Sequence, residues 1–133
     1  MIRRQLINFQ NRSVDVRVGL GAFDELSRMF ASAVGKPKRA MVVWNSASSE
    51  RFDEVVEHAL VDAGFAVSQF SLEVSPAGAT LADADAIFGA LSANGITCDD
   101  LVVAVGDAAT CSVVSWCANQ WCGRTECALL PTT

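Results

Sequence analysis

Alternation of hydrophobic and polar residues predicts that the chain begins with β structure. The segment Val14–Val18 reads Val-Asp-Val-Arg-Val, the period of two that is typical of a half-buried strand. A preceding strand from about Arg4 to Phe9 would pair with it through a turn at Asn11 and Arg12. These residues therefore predict an N-terminal β-hairpin.

Helical periodicity then follows. Apolar residues recur every three or four positions at about residues 23–34, 52–63 and 81–91, and a further helix is predicted at about 108–121. The clearest apolar stripe consists of Phe52, Val55, Val56, Ala59, Leu60 and Ala63. The stripe of the next helix consists of Leu81, Ala84, Ile87, Phe88 and Leu91.

Capping residues predict where two of these helices begin and end. Ser48 or Ser49 can cap the second helix, and Gly64 follows its last apolar residue. Thr80 and Asp83 have the spacing of a capping box at the start of the third helix, with a shorter acid than the usual Glu. Both helices are therefore expected to be separate elements between strands.

Four strands alternate with the helices. Ala40–Trp44 and Leu101–Val105 are continuous apolar runs, typical of strands buried on both faces. The other two strands are predicted at Phe65–Leu72 and Glu126–Leu130. This alternation favours a parallel sheet with helices on both faces. We therefore predict one domain over residues 1–133, a Rossmann-like α/β fold that starts with the hairpin and has the two apolar strands in the sheet interior.

Composition and charge exclude several classes of protein. The chain is 51% hydrophobic and 19% charged, which is typical of a globular domain, and its formal net charge is −5. Since no basic stripe offsets that charge, we do not expect nucleic acid as a partner. No apolar run reaches the roughly 18 residues of a membrane span, and polar residues interrupt the N-terminus where a signal peptide would be apolar. We therefore expect a cytoplasmic protein with no membrane partner.

The cysteines and the single histidine are weak candidates for chemistry. The five cysteines contain no C-x-x-C pair, and their spacing is wider than most structural zinc sites use; they are Cys98, Cys111, Cys117, Cys122 and Cys127. We interpret them as reduced, buried or half-buried thiols. His58 is offset from the apolar stripe of its helix and has no second histidine to join it, so we expect it at the surface.

Three stretches together resemble 3-dehydroquinate synthase, in that family's order. Gly19–Leu26 reads GLGAFDEL, similar to the family's G-x-G-x-x-D-E-L. Leu91–Gly106 reads LSANGITCDDLVVAVG, similar to the helix, turn and strand that lead into the family's glycine-rich loop. Leu129–Thr133 reads LLPTT, similar to a family strand that ends in P-T-T. The resemblance covers essentially the whole chain, although glycerol dehydrogenases and iron-type alcohol dehydrogenases share this architecture.

The resemblance implies the N-terminal, NAD-binding domain of an enzyme of the shikimate pathway. That carbon-oxygen lyase converts a heptulosonate phosphate to 3-dehydroquinate, with NAD reduced and reoxidised in each turnover. In the family, zinc or another divalent metal is held in a following helical domain. We expect no turnover from this chain alone, because the family's metal ligands and most substrate-binding residues lie beyond the matching positions. A nucleotide cofactor and a second copy of the chain are the candidate partners.

The glycine-rich loop departs from the family pattern. The family's G-G-G-x-x-G-D corresponds here to Gly106–Ser112, which reads GDAATCS. Gly106 matches, whereas Asp107 puts a negative charge where the resemblance implies a pyrophosphate, and its side chain is a good helix N-cap. Ala108 adds a Cβ where close backbone approach is needed. We therefore interpret the loop as an N-capped helix following a buried strand.

Other implied nucleotide contacts are altered as well. The family's ribose-binding Asp corresponds to Asn45, which can hydrogen-bond without charge assistance. The Glu and Lys of the family's P-G-E-x-x-K segment are absent from Ser75–Thr80. Thr132 and Thr133 match. We therefore expect NAD binding to be weak or lost, and two hypotheses stay open. One is a cyclase domain; the other is a non-catalytic homologue that keeps the fold for packing or partner contact.

Overall fold

A four-stranded parallel sheet lies at the centre of the molecule. A computed structural model describes residues 2–9, 13–19, 22–36, 38–46 and 52–132. The strands are β3 (Arg39–Asn45), β4 (Ala66–Leu72), β5 (Leu101–Gly106) and β6 (Glu126–Pro131), in the order β4-β3-β5-β6. The two apolar strands β3 and β5 occupy the interior positions, and all of β5 is buried. The predicted parallel sheet and its interior strands are therefore confirmed.

The N-terminal hairpin is a second, separate sheet. Strand β1 (Arg3–Asn8) pairs antiparallel with β2 (Ser13–Val18), and Gln5 lies opposite Val16. The hairpin prediction is confirmed, while the turn expected at Asn11 and Arg12 lies outside the described residues.

Two helices cover each face of the parallel sheet. They are α1 (Leu26–Ala33), which follows a short 3-10 helix at Ala22–Glu25, α2 (Asp53–Asp62), α3 (Leu81–Ala93) and α4 (Ala108–Gln120). Helices α1 and α2 pack against one face, and α3 and α4 pack against the other. Within the described ranges, no helix has the length and hydrophobicity needed to cross a bilayer.

The continuous apolar sequence of β3 follows from this double coverage. Ala40 and Val42 belong to the core beneath α1 and α2, whereas Met41 and Val43 belong to the core beneath α3 and α4. All four side chains are 0% exposed. Because successive side chains of a strand point to opposite faces, a strand covered on both sides needs apolar residues at every position.

Helix α3 begins and ends where the sequence indicates. The Thr80 side chain accepts a hydrogen bond from the Asp83 amide, and the Asp83 carboxylate accepts one from the Thr80 amide. This confirms the capping box. The helix ends before Gly95, whose φ of +66° lies in the left-handed region that favours glycine. The candidate caps of α2 at Ser48 and Ser49 lie outside the described residues.

Two residues predicted on buried helix faces are exposed instead. Val55 is 48% exposed and Leu81 is 82% exposed. The buried positions of α2 are Val56, Ala59 and Leu60, so its buried stripe is narrower than the apolar stripe in the sequence. Leu81 is the first residue of α3, at the end of the stripe, where no described neighbour covers it.

Phe88 of α3 packs against two tryptophans, Trp116 of α4 and Trp121 directly after α4. The Phe88 ring lies 5.9 Å from the Trp121 ring and 6.1 Å from the Trp116 ring, measured between centroids. The Trp121 indole N–H also donates to the Ile96 carbonyl at 2.7 Å. Trp121 is therefore a packing residue, while Trp116 leaves 50% of its surface exposed.

A buried aspartate anchors the turn that leads into β5. Asp100 is 2% exposed, and its Oδ1 accepts the Arg39 backbone N–H at 3.1 Å. Its Oδ2 accepts the Thr97 backbone N–H at 2.8 Å and the Thr97 hydroxyl at 3.0 Å. The carboxylate therefore holds the start of β3 and the turn before β5 together.

We expect Asp100→Ala to lower the free energy of unfolding by about 1–3 kcal/mol, because partly buried N–H groups lose their acceptor. Chemical denaturation measures this change. The matched control is Asp99→Ala at the exposed neighbouring residue, for which we expect a change within about 0.5 kcal/mol. Equal effects of the two substitutions would contradict the assigned role of Asp100.

Candidate functional site

The candidate residues converge at the carboxyl ends of the parallel strands. Asn45 ends β3, Gly106 ends β5, and Thr132 directly follows β6. The Thr132 backbone N–H donates to the Gly106 carbonyl at 3.0 Å. Ligands of open α/β sheets bind at this edge. The structure therefore brings Asn45 and Asp107 together through Thr110, and it joins Thr132 to Gly106, the residue before Asp107. Ala108 follows as the first residue of α4, and Thr133 lies outside the described residues.

Asp107 caps helix α4. Its Oδ1 accepts the Thr110 backbone N–H at 3.0 Å and the Thr110 hydroxyl at 2.7 Å. The N-cap role predicted for Asp107 is thus confirmed. The amides of a helix N-terminus favour an anion, and here a carboxylate of the chain itself lies against one of them.

Asn45 is buried and engaged with its surroundings. It is 6% exposed, and its Nδ2 donates to the Val74 carbonyl at 3.0 Å and to the Thr110 hydroxyl at 3.4 Å. Its Oδ1 accepts the Val74 backbone N–H at 3.5 Å. The side chain thus links the end of β3 to the segment after β4 and to α4.

Thr110 is the residue of this group that our sequence reasoning missed. It is 0% exposed, and its hydroxyl joins Asp107 to Asn45. The available signal was its position three residues after Asp107, where an N-cap side chain meets the helix. The link to Asn45, 65 residues earlier, has no local signal in the sequence.

Two features of the structure require a glycine at position 106: its backbone conformation and the close approach of Thr110. Its φ of +153° is one that residues with a Cβ rarely adopt. A Cβ at this position would lie 3.3 Å from the Thr110 Cβ. The glycine therefore lets β5 turn into α4 while the buried Thr110 packs directly against it.

The segment that the sequence resemblance compares with a nucleotide-contacting turn is exposed. Ser75–Thr80 follows Val74, so it leaves the sheet beside Asn45. Its turn is held by Gly78 N–H donating to the Ser75 carbonyl at 3.0 Å, and by Ala77 N–H donating to the Ser75 hydroxyl at 3.2 Å. The segment carries no charged side chain, so it offers backbone and hydroxyl groups only.

The cysteines are divided between the surface and the core. Cys98 and Cys122 are exposed, which corrects the expectation of buried or half-buried thiols at these two positions. Cys98 lies in the turn before β5, and Cys122 lies in a short 3-10 helix, Trp121–Gly123, that follows α4. Cys111 and Cys117 are buried and Cys127 is half-buried. Among the described residues, no three His, Cys, Asp or Glu side chains come together as a metal site. His58 is exposed, as expected.

Burial keeps three of the thiols protonated. It raises the pKa of Cys117 to about 11. Burial, with smaller contributions from neighbouring groups, raises the pKa of Cys127 to about 12. Burial and the nearby Asp107 carboxylate also raise the pKa of Cys111. Since the thiolate is the reactive form, these groups are poor nucleophiles near neutral pH.

An open cleft of about 420 Å³ lies elsewhere, at the opposite end of the sheet. It is lined by the end of α1, the turn before β5 and the start of β6, including Lys36, Cys98 and Glu126. It shares no residue with the group around Thr110. We place the candidate site at the carboxyl edge because several elements converge there through buried polar contacts.

No protein-family model matches the chain, and no curated protein matches its sequence. Solved structures do match its fold. One is 2-deoxy-scyllo-inosose synthase, with a TM-score of 0.79 and 17% identity over 98% of this chain and 36% of that chain. The same synthase complexed with carbaglucose-6-phosphate, NAD+ and Co2+ matches with a TM-score of 0.79 and 17% identity, over 98% of this chain and 35% of that chain.

A second synthase has the same fold. It is ValA (2-epi-5-epi-valiolone synthase) from Streptomyces hygroscopicus subsp. jinggangensis 5008, with NAD+ and Zn2+ bound. The TM-score is 0.74 and the identity 16%, over 97% of this chain and 35% of that chain. The chain therefore spans about a third of the length of these solved chains. At these identities the likeness establishes a shared fold.

Thiol labelling tests the division of the cysteines. With Ellman's reagent at about pH 8, we expect rapid reaction of two thiols, Cys98 and Cys122, in the folded chain, because only exposed thiols are accessible. The remaining three should react after unfolding in denaturant. Rapid labelling of Cys117 or Cys127 in the native chain, identified by peptide mass spectrometry, would contradict their placement.

Thr110→Val tests the buried polar link. This nearly isosteric change removes the hydroxyl that bridges Asp107 and Asn45, and we expect a loss of about 1–3 kcal/mol in the free energy of unfolding. The matched control on the same helix is Ser112→Ala, at an exposed position, where a change within about 0.5 kcal/mol is expected. Unchanged stability of Thr110→Val would show that the bridge contributes little.

Proposed function

We propose that this chain is the N-terminal domain of a 3-dehydroquinate synthase-like protein of the sugar-phosphate cyclase type, and that its nucleotide site is partly filled by its own side chains. Two independent similarities support the first half of the proposal. The ordered sequence motifs resemble 3-dehydroquinate synthase, and the fold resembles two other cyclizing synthases determined with NAD+. The contacts around Asp107 support the second half.

In the complete enzyme of this type, NAD supplies reversible oxidation of the sugar. The carboxyl edge of the sheet would be the nucleotide-binding surface here. As the resemblance implies, the backbone amides after Gly106 and the side chain of Thr132 would contact the nucleotide. A divalent metal would belong to a further domain, since the family's ligands correspond to no residue of this chain. The cyclization reaction is therefore proposed only for a protein that also contains such a metal-binding domain.

The side chains at this edge do not fit a tightly bound pyrophosphate. The Asp107 carboxylate lies 3.0 Å from the Thr110 amide nitrogen and 2.7 Å from the Thr110 hydroxyl, where it competes with a phosphate for the helix N-terminus. Asn45 is committed to Val74 and Thr110 and would have to give up a contact to reach a ribose. Ala108 also adds a Cβ beside the first turn of α4.

The estimated free-energy costs of these changes favour weak nucleotide binding. A like-charge contact at a partly exposed site costs on the order of 1 kcal/mol or more. Each lost charge-assisted hydrogen bond removes roughly 1.5–3 kcal/mol. Two such losses together with the like-charge contact amount to roughly 4–7 kcal/mol, which reaches the ~4 kcal/mol that separates a micromolar site from a millimolar one. We therefore propose that NAD binds to this chain weakly at most.

A second candidate function follows from the same contacts. If the site binds no nucleotide at all, the domain is a non-catalytic homologue that keeps the fold for packing or partner contact. The observation that favours it is the internal hydrogen bonding among Asp107, Thr110 and Asn45. Nucleotide binding by the native chain and by a variant with an opened loop distinguishes the two.

The test is calorimetric titration of NAD into the unmodified chain and into the combined variant Asp107→Gly with Ala108→Gly. We expect a dissociation constant in the millimolar range or no detectable binding for the unmodified chain. The variant should bind at least about tenfold more tightly, because it removes the competing carboxylate and the Cβ. A micromolar constant for the unmodified chain would overturn the proposed filling of the site.

The matched control is Asp99→Gly, which removes the same charge at an exposed turn at the other end of the sheet. It should leave NAD binding unchanged, because it alters net charge without touching the site. Circular dichroism and denaturation midpoints for all variants separate loss of folding from loss of binding. Absence of any gain in a folded loop variant would favour the non-catalytic alternative.

A further inference from the structure

The turn at the end of α3 contains an Asn-Gly pair, Asn94 and Gly95. The chain has five asparagines, and only Asn94 is followed by glycine. In such a pair the backbone nitrogen of the glycine can attack the amide carbon of the asparagine side chain and close a five-membered ring. Glycine favours this attack because it has no side chain to block the approach and its backbone is flexible. The pair is therefore a candidate site of spontaneous modification, and its local structure controls the reaction.

A Schellman motif closes the end of α3 around this pair. The Gly95 N–H donates to the Ser92 carbonyl at 3.1 Å. The Ile96 N–H donates to the Leu91 carbonyl at 3.0 Å. Leu91 and Ile96 are 0% and 3% exposed and belong to the same core cluster. The cap is therefore held by backbone hydrogen bonds and by apolar packing together.

The closed cap restrains both groups that would react. The Asn94 Nδ2 donates to the Ala90 carbonyl at 2.8 Å, so the side-chain amide is bonded to the last turn of the helix. The Gly95 nitrogen must lose its proton before it can attack, and the hydrogen bond to Ser92 retains that proton. A hydrogen-bonded backbone amide gives up its proton to solvent only after local opening. The reaction therefore requires the cap to open.

We propose that Asn94–Gly95 is a site of spontaneous deamidation whose rate is set by opening of the α3 cap. In the open state the deprotonated Gly95 nitrogen forms a bond to the Asn94 Cγ, and the Cγ–Nδ2 bond breaks. The proton lost from Gly95 is replaced on the departing nitrogen through water, and ammonia leaves. Water then hydrolyses the cyclic imide at either carbonyl, which gives aspartate or isoaspartate at position 94.

Either product weakens the end of α3. An aspartate carboxylate cannot donate to the Ala90 carbonyl, and it puts a negative charge at the helix C-terminus, where the helix dipole disfavours it. An isoaspartate adds a backbone atom before Gly95 and so breaks the spacing of the Schellman bonds. The Ile96 carbonyl accepts the Trp121 indole N–H at 2.7 Å. Loss of the cap would therefore also loosen the contact between this turn and the end of α4. The inference stands independently of the proposed nucleotide site.

Peptide mass spectrometry of the chain, incubated at neutral to mildly alkaline pH, tests the site. We expect deamidation at Asn94 with isoaspartate among the products, and a rate that rises with pH because the attacking nitrogen is deprotonated. Asn119 is the internal control, since it is exposed on α4 and is followed by Gln120; it should react at least about tenfold more slowly. Equal rates at the two asparagines, or an Asn94 product without isoaspartate, would overturn the proposal.

A comparison of the folded chain with the chain in denaturant tests control by the cap. We expect Asn94 to deamidate at least about tenfold faster in the unfolded chain, because the open conformation is then always available. Equal rates in the two states would overturn the role of the cap. Absence of Asn94 deamidation in the unfolded chain would overturn the site itself.

Two identical substitutions separate opening of the cap from unfolding of the whole domain. Ile96→Val removes one methylene from the packing of the cap and should speed Asn94 deamidation in the folded chain by about threefold or more. The matched control is Ile87→Val, at a 0% exposed position within α3 that belongs to the same core cluster; it should change the rate less than about 1.5-fold. Equal acceleration by both would show that global unfolding sets the rate, which would contradict the proposal. A folded chain that shows no conversion even with Ile96→Val would contradict it as well.

Asn94→Gln tests the ring closure. Glutamine keeps a side-chain amide, but its extra methylene prevents the five-membered ring. We expect no conversion at position 94 in this variant over a period in which the native chain reacts. Denaturation midpoints of all variants confirm that they are folded. Conversion of Asn94→Gln at the native rate would overturn attack by the Gly95 nitrogen.

Discussion

Coverage of the two central strands on both faces is the constraint from which the rest of the fold follows. Strands β3 and β5 have apolar side chains pointing in both directions, so each needs a helical layer above and below. The chain meets this need by placing α1 and α2 on one face and α3 and α4 on the other. Each connecting helix returns the chain to the edge of the sheet where the next parallel strand begins. All four strands therefore end at the opposite edge, and the polar residues at their carboxyl ends lie close together there.

Under the proposed function, stability and nucleotide binding compete at that edge. The Asp107 carboxylate, the Thr110 hydroxyl and the Asn45 amide satisfy one another in a largely buried setting. Buried polar groups are costly unless they are paired, so this network favours the folded state. If a nucleotide binds at this edge as proposed, the same pairing occupies groups that the nucleotide would otherwise use. A loop that caps its own helix well is therefore a poorer anion site.

Local patterns in the sequence were sufficient for most of the fold. Alternation gave the hairpin, uninterrupted apolar runs gave β3 and β5, and the Thr80–Asp83 spacing gave the start of α3. The N-cap role of Asp107 was equally local. The pattern failed at Val55 and Leu81, because periodicity describes which side of a helix is apolar and not how far the neighbouring elements extend over it.

The sequence by itself determined the order of elements, the interior position of the two apolar strands and the resemblance that led to the nucleotide hypothesis. Only the tertiary structure decided which side chains meet at the strand ends. Thr110 and Asn45 are hydrogen-bonded although they lie 65 residues apart, and the Asn45 amide also donates to the Val74 carbonyl. Such contacts depend on how the strands are ordered in space. Periodicity and capping act within a few residues along the chain, whereas the pairing of buried polar groups is settled when distant segments pack.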